Sequence, residues 1–220
     1  KDFSSCVQTG GLQDESGNLH QNILGERGWK HVQTLQRTDP PEHTRYRKLL
    51  YRVFTGKRVK DLSPGIVTLC DSLIDGFIDE GRCEFIRDFA LPFPGTIIAE
   101  QIGLDSGDIE RFKRWADAML APATRMLNEQ EIREVAEIEL EAQHYLAEVF
   151  ESRRQAPKDD IISALVHSHG DDEEPLTTHE LQNLMHQLIT GGYETTTSAL
   201  AHGLWMITRF PDQSDNVRQD

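Results

Sequence analysis

The sequence predicts a mainly α-helical domain, on three observations. From Asp39 onward, apolar residues recur at steps of three and four, the period of an amphipathic helix. The segments so defined open at capping residues and close at glycine or proline. No set of alternating runs, no repeat and no low-complexity stretch offers a competing sheet or solenoid.

Residues 1–38 are rich in Gly, Gln and Ser and predict loops with one short helix. Asp39-Pro40-Pro41-Glu42 then reads as a helix start, with Asp as cap, proline in the first turn and Glu three residues after the cap. That helix is expected to reach about residue 54. A second, 62–79, carries Ile66, Leu69, Leu73, Ile74 and Phe77 at helical spacing and stops at Gly81. A short apolar helix over 92–102 ends at Gly103, and an amphipathic one over 109–120 is broken by Pro122. The long Glu-rich helix 129–154 turns Ile132, Val135, Ile138, Tyr145, Val149 and Phe150 inward. After a short helix over 159–168 and an acidic loop over 170–175, Thr177 and Glu180 form a capping box for the last helix.

Composition narrows the function classes. A net charge of -14 argues against a nucleic-acid surface, whose footprint is basic. No run approaches the roughly 18 apolar residues of a membrane span. Three cysteines, Cys6, Cys70 and Cys83, form no CxxC pair and no zinc spacing, so no residue is assigned to a metal. Sparse thiols suit a reducing compartment, and a cytoplasmic location is expected. His167 and His169 beside Asp171 and Asp172 suggest a metal-dependent hydrolase. That stretch is Gly-rich and lacks helical ligand spacing, so a solvated acidic loop is the better reading.

The segment 188–200, Leu-Ile-Thr-Gly-Gly-Tyr-Glu-Thr-Thr-Thr-Ser-Ala-Leu, breaks helix rules in the middle of a helix. Each interior glycine costs about 1 kcal/mol relative to alanine, and the threonines compete for backbone hydrogen bonds. Leu181, Met185, Leu188, Gly192, Thr195 and Ala199 share one face, bulky at first and then small. Glu194 lies about 100° around, on a polar strip with Gln187, Thr190, Gly191 and Ser198. Either a flat ligand approaches at Gly191 and Gly192, or these residues make a tight helix crossing with the threonines bonding back. A second constellation, His43 and Arg47, is one turn apart on the helix opening at Asp39 and suits a carboxylate or phosphate. Arg45, Lys48 and Arg52 read as a solvated basic face.

These stretches, taken in order, resemble the cytochrome P450 superfamily of haem-thiolate monooxygenases in its soluble bacterial branch. Residues 39–47 with Phe54-Thr55 are similar to its C-helix, 88–104 to its E-helix region and 159–165 to its H-helix. Gly191-Gly-Tyr-Glu-Thr-Thr196 matches its oxygen-binding I-helix motif, and Phe210-Pro-Asp-Gln213 the turn that follows. The resemblance implies haem b held at its propionates by His43 and Arg47, with Gly191 and Gly192 against its face. It implies Thr195 as hydrogen-bond partner of the iron-bound oxygen species and Glu194 in the proton relay. It places Trp29, Val32, Leu188, Thr190 and Tyr193 near the substrate, a small apolar organic molecule. O2 and a ferredoxin or flavoprotein electron donor complete the expected partners, with no nucleic acid and no membrane.

The chain also departs from the family. Neither the Glu-x-x-Arg helix nor the Phe-x-x-Gly loop with the cysteine ligand is present, and Cys6, Cys70 and Cys83 lie in neither context. The expectation is a partial domain over 1–220, about the B to I helices, without the N-terminal sheet region or the C-terminal haem-ligand region. Such a piece is expected to be inactive alone and to give no thiolate-type carbon monoxide band. The alternative is a non-enzymatic helical ligand-binding or interaction module.

Overall fold

The computed structural model describes residues 19–104, 109–169 and 174–217. They form nine α-helices: α1 (Leu19–Arg27), α2 (Glu42–Val53), α3 (Gly56–Ile78), α4 (Pro92–Gln101), α5 (Ile109–Thr124), α6 (Glu129–Gln155), α7 (Ile161–Val166), α8 (Thr178–Arg209) and α9 (Pro211–Val217). A 3-10 turn (Leu35–Arg37) precedes α2 and a π-turn (Ile86–Ala90) leads into α4. No strand occurs among the described residues.

The long helices α6 and α8 organise the packing. Helices α1 and α5 lie along α6, while α4 and α5 lean on α8. Trp115, Phe112, Phe150, Leu184, Met185 and Tyr193 meet in the core between them. Burying a side chain of this size stabilises by about 1.5–3 kcal/mol, enough for α8 to stay helical through two glycines. Tertiary burial outweighs propensity there.

Helix ends follow the sequence in part. Thr177 and Glu180 make the expected capping box of α8, and Asn128 with Glu131 makes a second at the start of α6. Asp160 caps α7 by accepting from Ser163 N–H at 2.7 Å. At α2 the cap position falls at Pro41 rather than Asp39: the helix begins at Glu42, and the Asp39 carbonyl accepts His43 N–H at 3.0 Å.

Proline ends neither of two helices. α3 begins at Gly56 behind a Thr55 cap and runs through Pro64, and α5 runs through Pro122 to Thr124. Proline removes one donor, and Pro122 lies near the end of α5, where the neighbouring bonds carry the turn. In α5 the Arg125 N–H still closes on the Ala121 carbonyl. Of the expected inner positions of α6, Ile138 and Tyr145 are half-buried, whereas Glu139, Gln143 and Arg153 are buried. The apolar positions of α3 are likewise only half-buried. Tyr51, Val59, Val67, Trp205 and Phe210 stand exposed.

Chain positions 19–37 are fastened across α6 and α8. Gly28 passes so close to α6 that a Cβ there would stand 2.4 Å from Gln143 Oε1. That closeness lets the Gln143 amide bracket Trp29, accepting from its N–H at 2.8 Å and donating to its carbonyl at 2.9 Å. Asn183 and Gln187 of α8 receive the next residues, at Val32 N–H and at Thr34 Oγ1.

Candidate functional site

The two glycines of α8 do different things. A Cβ on Gly192 would stand 2.8 Å from Ile98 Cδ1, so Gly192 is where α4 crosses α8. Gly95 of α4 completes that crossing, its missing Cβ 3.3 Å from Tyr193 Cε2. A Cβ on Gly191 would meet nothing within 4 Å. The tight crossing and the open groove, alternatives in the sequence, thus occupy adjacent residues.

Around Gly191 an open polar face forms. Gly191, Glu194 and Thr195 are exposed, flanked by half-buried Gln187, Thr190 and Ser198. The Thr195 hydroxyl donates to the Gly191 carbonyl, and Thr190 and Thr197 make the same back-bond to His186 and Tyr193 at 2.8 and 2.9 Å. A hydroxyl whose proton is spent on the backbone keeps lone pairs with which to accept from a ligand. Glu194 also reaches α5: the Asp117 carboxyl is raised by desolvation and by the charge of Glu194, against the pull of Lys113.

The other expected residues scatter. Arg47 is exposed, its guanidinium 4.6 Å above the Tyr51 ring and its Nη2 donating to Tyr51 Oη at 2.6 Å. His43, one turn earlier, is half-buried. Arg45, read as solvated, instead pairs with Glu180 at 2.6 Å, and Tyr46 Oη donates to the same carboxylate at 2.8 Å. These bonds pin α2 to the first turn of α8, 11 residues (191 − 180) or about 16 Å of helix before Gly191.

Of the expected substrate contacts, Tyr193 is 2% exposed and packs edge-on against Phe112 at 5.6 Å, on the opposite side of α8 from Gly191. Leu188 is half-buried against the core and Trp29 packs on His144. Val32 is exposed and Thr190 half-buried. For these two, nothing in the packing competes with a ligand-facing role.

The sequence did not reveal a cluster beneath residues 19–37. Glu139 of α6 is 1% exposed, with His31 Nε2 at 2.6 Å from one oxygen and His20 Nε2 at 3.1 Å from the other. The His186 ring of α8 lies 4.7 Å from the His31 ring, centre to centre. Burial would raise the Glu139 carboxyl, but hydrogen bonds from His20 and His31 hold it well below the usual carboxylate range. Burial pushes the His186 imidazole down to about 4, against the pull of Glu139. One ligand atom each from His31, Glu139 and His186 lie within 4.8 Å of one another. The four residues come from three helices and a loop, and no local spacing announces them. His167 Nε2 donates to the Arg153 carbonyl at 3.0 Å, and Asp171 and Asp172 lie outside the described residues.

Among the described residues no helix is long and apolar enough to cross a membrane. Residues 106–220, just over half the chain, match the family model for cytochrome P450. The chain is 34% identical over 185 residues to the cytochrome P450 monooxygenase PikC of Streptomyces venezuelae, covering 83% of this chain and 43% of that protein. It is 33% identical over 182 residues to a steroid C26-monooxygenase of Mycobacterium tuberculosis, covering 83% and 49%. Among solved structures, the LnmA cytochrome P450 hydroxylase of Streptomyces atroolivaceus superposes with a TM-score of 0.77 at 30% identity, over 85% of this chain and 47% of that one. The chain therefore spans about half the length of the relatives it matches.

Proposed function

The chain belongs to the cytochrome P450 family, and from that premise we propose that it supplies the oxygen-activation side of a haem-dependent monooxygenase acting on a small apolar organic molecule. The observation that carries the reading is the α8 face: a glycine with open space above it, beside an exposed carboxylate and hydroxyl. The donor set fits haem. Gly191 leaves room for a flat ring, and an imidazole and a guanidinium one turn apart on α2 suit its two carboxylates. When bound, haem supplies an iron centre that activates dioxygen with electrons from a partner protein, here a ferredoxin or flavoprotein.

The chain's own residues do the rest. Thr195, its proton committed to the Gly191 carbonyl, accepts a hydrogen bond from a ligand or water above the face and so fixes where that proton donor stands. Glu194, exposed to solvent and linked electrostatically to α5, takes protons from water and passes them inward. His43 and Arg47 bind and orient the anionic edge of the cofactor. Val32 and Thr190 face the substrate. Cys70, half-buried on α3, and Cys83, exposed beyond its end, are not assigned to iron. The 220 residues alone are therefore expected to give no thiolate-type carbon monoxide band, and the sparse thiols suit a cytoplasmic location.

The test is made in the haem-loaded enzyme that contains this chain. Thr195→Ala should let electrons be consumed while product per electron falls, and Glu194→Gln should slow turnover with an enlarged solvent isotope effect. Unchanged coupling and rate in both variants would reduce the chain to a helical ligand-binding module.

A further inference from the structure

The cluster at His20, His31, Glu139 and His186 lies outside the α8 face and takes no part in the chemistry above. Its inventory is unusual for a core. A carboxylate 1% exposed is ringed by imidazoles from α1, from the loop after it and from α8. Glu139 is met by His31 and His20, but His186 Nε2 is buried with no hydrogen-bond partner. A buried nitrogen left unsatisfied is costly, and this one stands beside a carboxylate and a second imidazole, which makes an unmet demand for a ligand.

We propose that His31, Glu139 and His186, with His20 beside them, bind one divalent transition-metal ion, Zn2+ by ligand type. Imidazole nitrogens with a single carboxylate suit zinc rather than calcium or magnesium, which take oxygen donors. Around a tetrahedral zinc the donor atoms stand about 3.3 Å apart. The present separations, up to 4.8 Å, close to that by rotation of the imidazole rings. His186 Nε2, buried with no hydrogen-bond partner, is the nitrogen left available to a metal.

One neighbour must turn. The Gln21 side chain bonds His31 twice, its Nε2 at 3.0 Å from His31 Nδ1 and its Oε1 accepting the His31 backbone N–H at 2.9 Å. When His31 Nε2 takes the metal, its ring proton moves to Nδ1, and Gln21 presents oxygen there instead of nitrogen. The ion then joins four stretches of chain at one point and fastens residues 20–31 to α6 and α8. The site is independent of the oxygen-activation reading and would persist if that reading failed.

The experiment is a zinc titration of the purified, chelator-treated protein, followed by calorimetry and by counting bound zinc after dialysis, with thermal unfolding alongside. One equivalent should bind and raise the melting temperature, as any ligand specific to the folded state does. His186→Gln and His31→Gln should each abolish that equivalent, while His169→Ala, in the His-x-His stretch, should keep it. Both cluster variants keep a polar side chain, and circular dichroism identifies whichever stays folded. No bound zinc in the wild type would overturn the proposal. So would a folded His186→Gln or His31→Gln that binds as well as wild type, or a loss of binding in His169→Ala.

Discussion

Helix α8 presents two polar regions that differ in almost every physical respect, although Gly191 follows His186 by only five residues. The face at Gly191, Glu194 and Thr195 is exposed and built from one stretch of sequence. The cluster at His186 centres on a buried carboxylate with half-buried imidazoles around it, and its other members come from α1, the following loop and α6. An exposed carboxylate contributes little to stability and is free to exchange protons. A buried one contributes through every neighbour it satisfies and is silent in any local motif. Chemistry that must meet a ligand stays local and open, whereas chemistry that fastens segments together is distributed and enclosed.

Substitutions separate the two most sharply at their carboxylates. Glu139→Ala strands three imidazoles and should destabilise the protein by about 3 kcal/mol, read by urea unfolding in the presence of chelator. Glu194→Gln should leave unfolding within about 0.5 kcal/mol but slow oxygenation by about a hundredfold, the scale of one general acid–base group. Equal stability losses in the two variants would erase the distinction.

The start of α8 offers a pH test. Burial opposes ionisation of Glu180, but hydrogen bonds from Thr177, Arg45 and Tyr46 hold its carboxyl below the usual range. Burial and the bond to Glu180 push Tyr46 up to about 12. A depressed acid gives stability that is present above its unfolded pKa of about 4.3 and is lost as pH falls through the folded value. The raised tyrosine gives stability that is full below about 10 and lost as pH rises through the folded value near 12. The contribution of the Glu180–Tyr46 pair should therefore be flat from about pH 5 to 10 and fall on both sides, on top of an acid loss from about 6.5 downward that His186, lowered to about 4, adds. Glu180→Gln should flatten the acid limb at a cost of about 1–2 kcal/mol. An acid limb unchanged in that variant would assign it to other carboxylates.

The smallest effect comes from the adjacent glycines. Gly191→Ala meets no atom and should gain up to about 1 kcal/mol of helix stability. Gly192→Ala gains the same propensity but presses on Ile98, for an overpacking cost of about 1–3 kcal/mol. The alanine at 191 should thus be the more stable variant by thermal unfolding, and the worse catalyst if a flat cofactor lies there. The reverse order of stability would exchange the roles given to the two glycines.

Legibility in the sequence followed locality. Capping at Thr177 and the helical periods of α4 to α8 depend on residues a few positions apart, and these were readable. Pro122 was not, because whether proline ends a helix depends on packing around it. Arg45 read as solvated because its partner, Glu180, is remote in sequence. Gly191 and Gly192 could be recognised as special but not told apart, since only α4 distinguishes them. Tyr193 sits inside the motif and looked like a ligand contact, yet its direction from the helix sends it into the core. The histidine–glutamate cluster had no local signal at all.

The contact between Gly192 and Ile98 has a consequence for redesign. One methyl group at position 98 sets how far α4 stands from α8 at the level of the open face. The side chain at 98 is thus a spacer between two walls, shortened by one carbon in Val and reshaped at equal size in Leu. A chemist wishing to move the floor of the groove by fractions of an ångström would change a residue on another helix and leave every polar group of the face untouched.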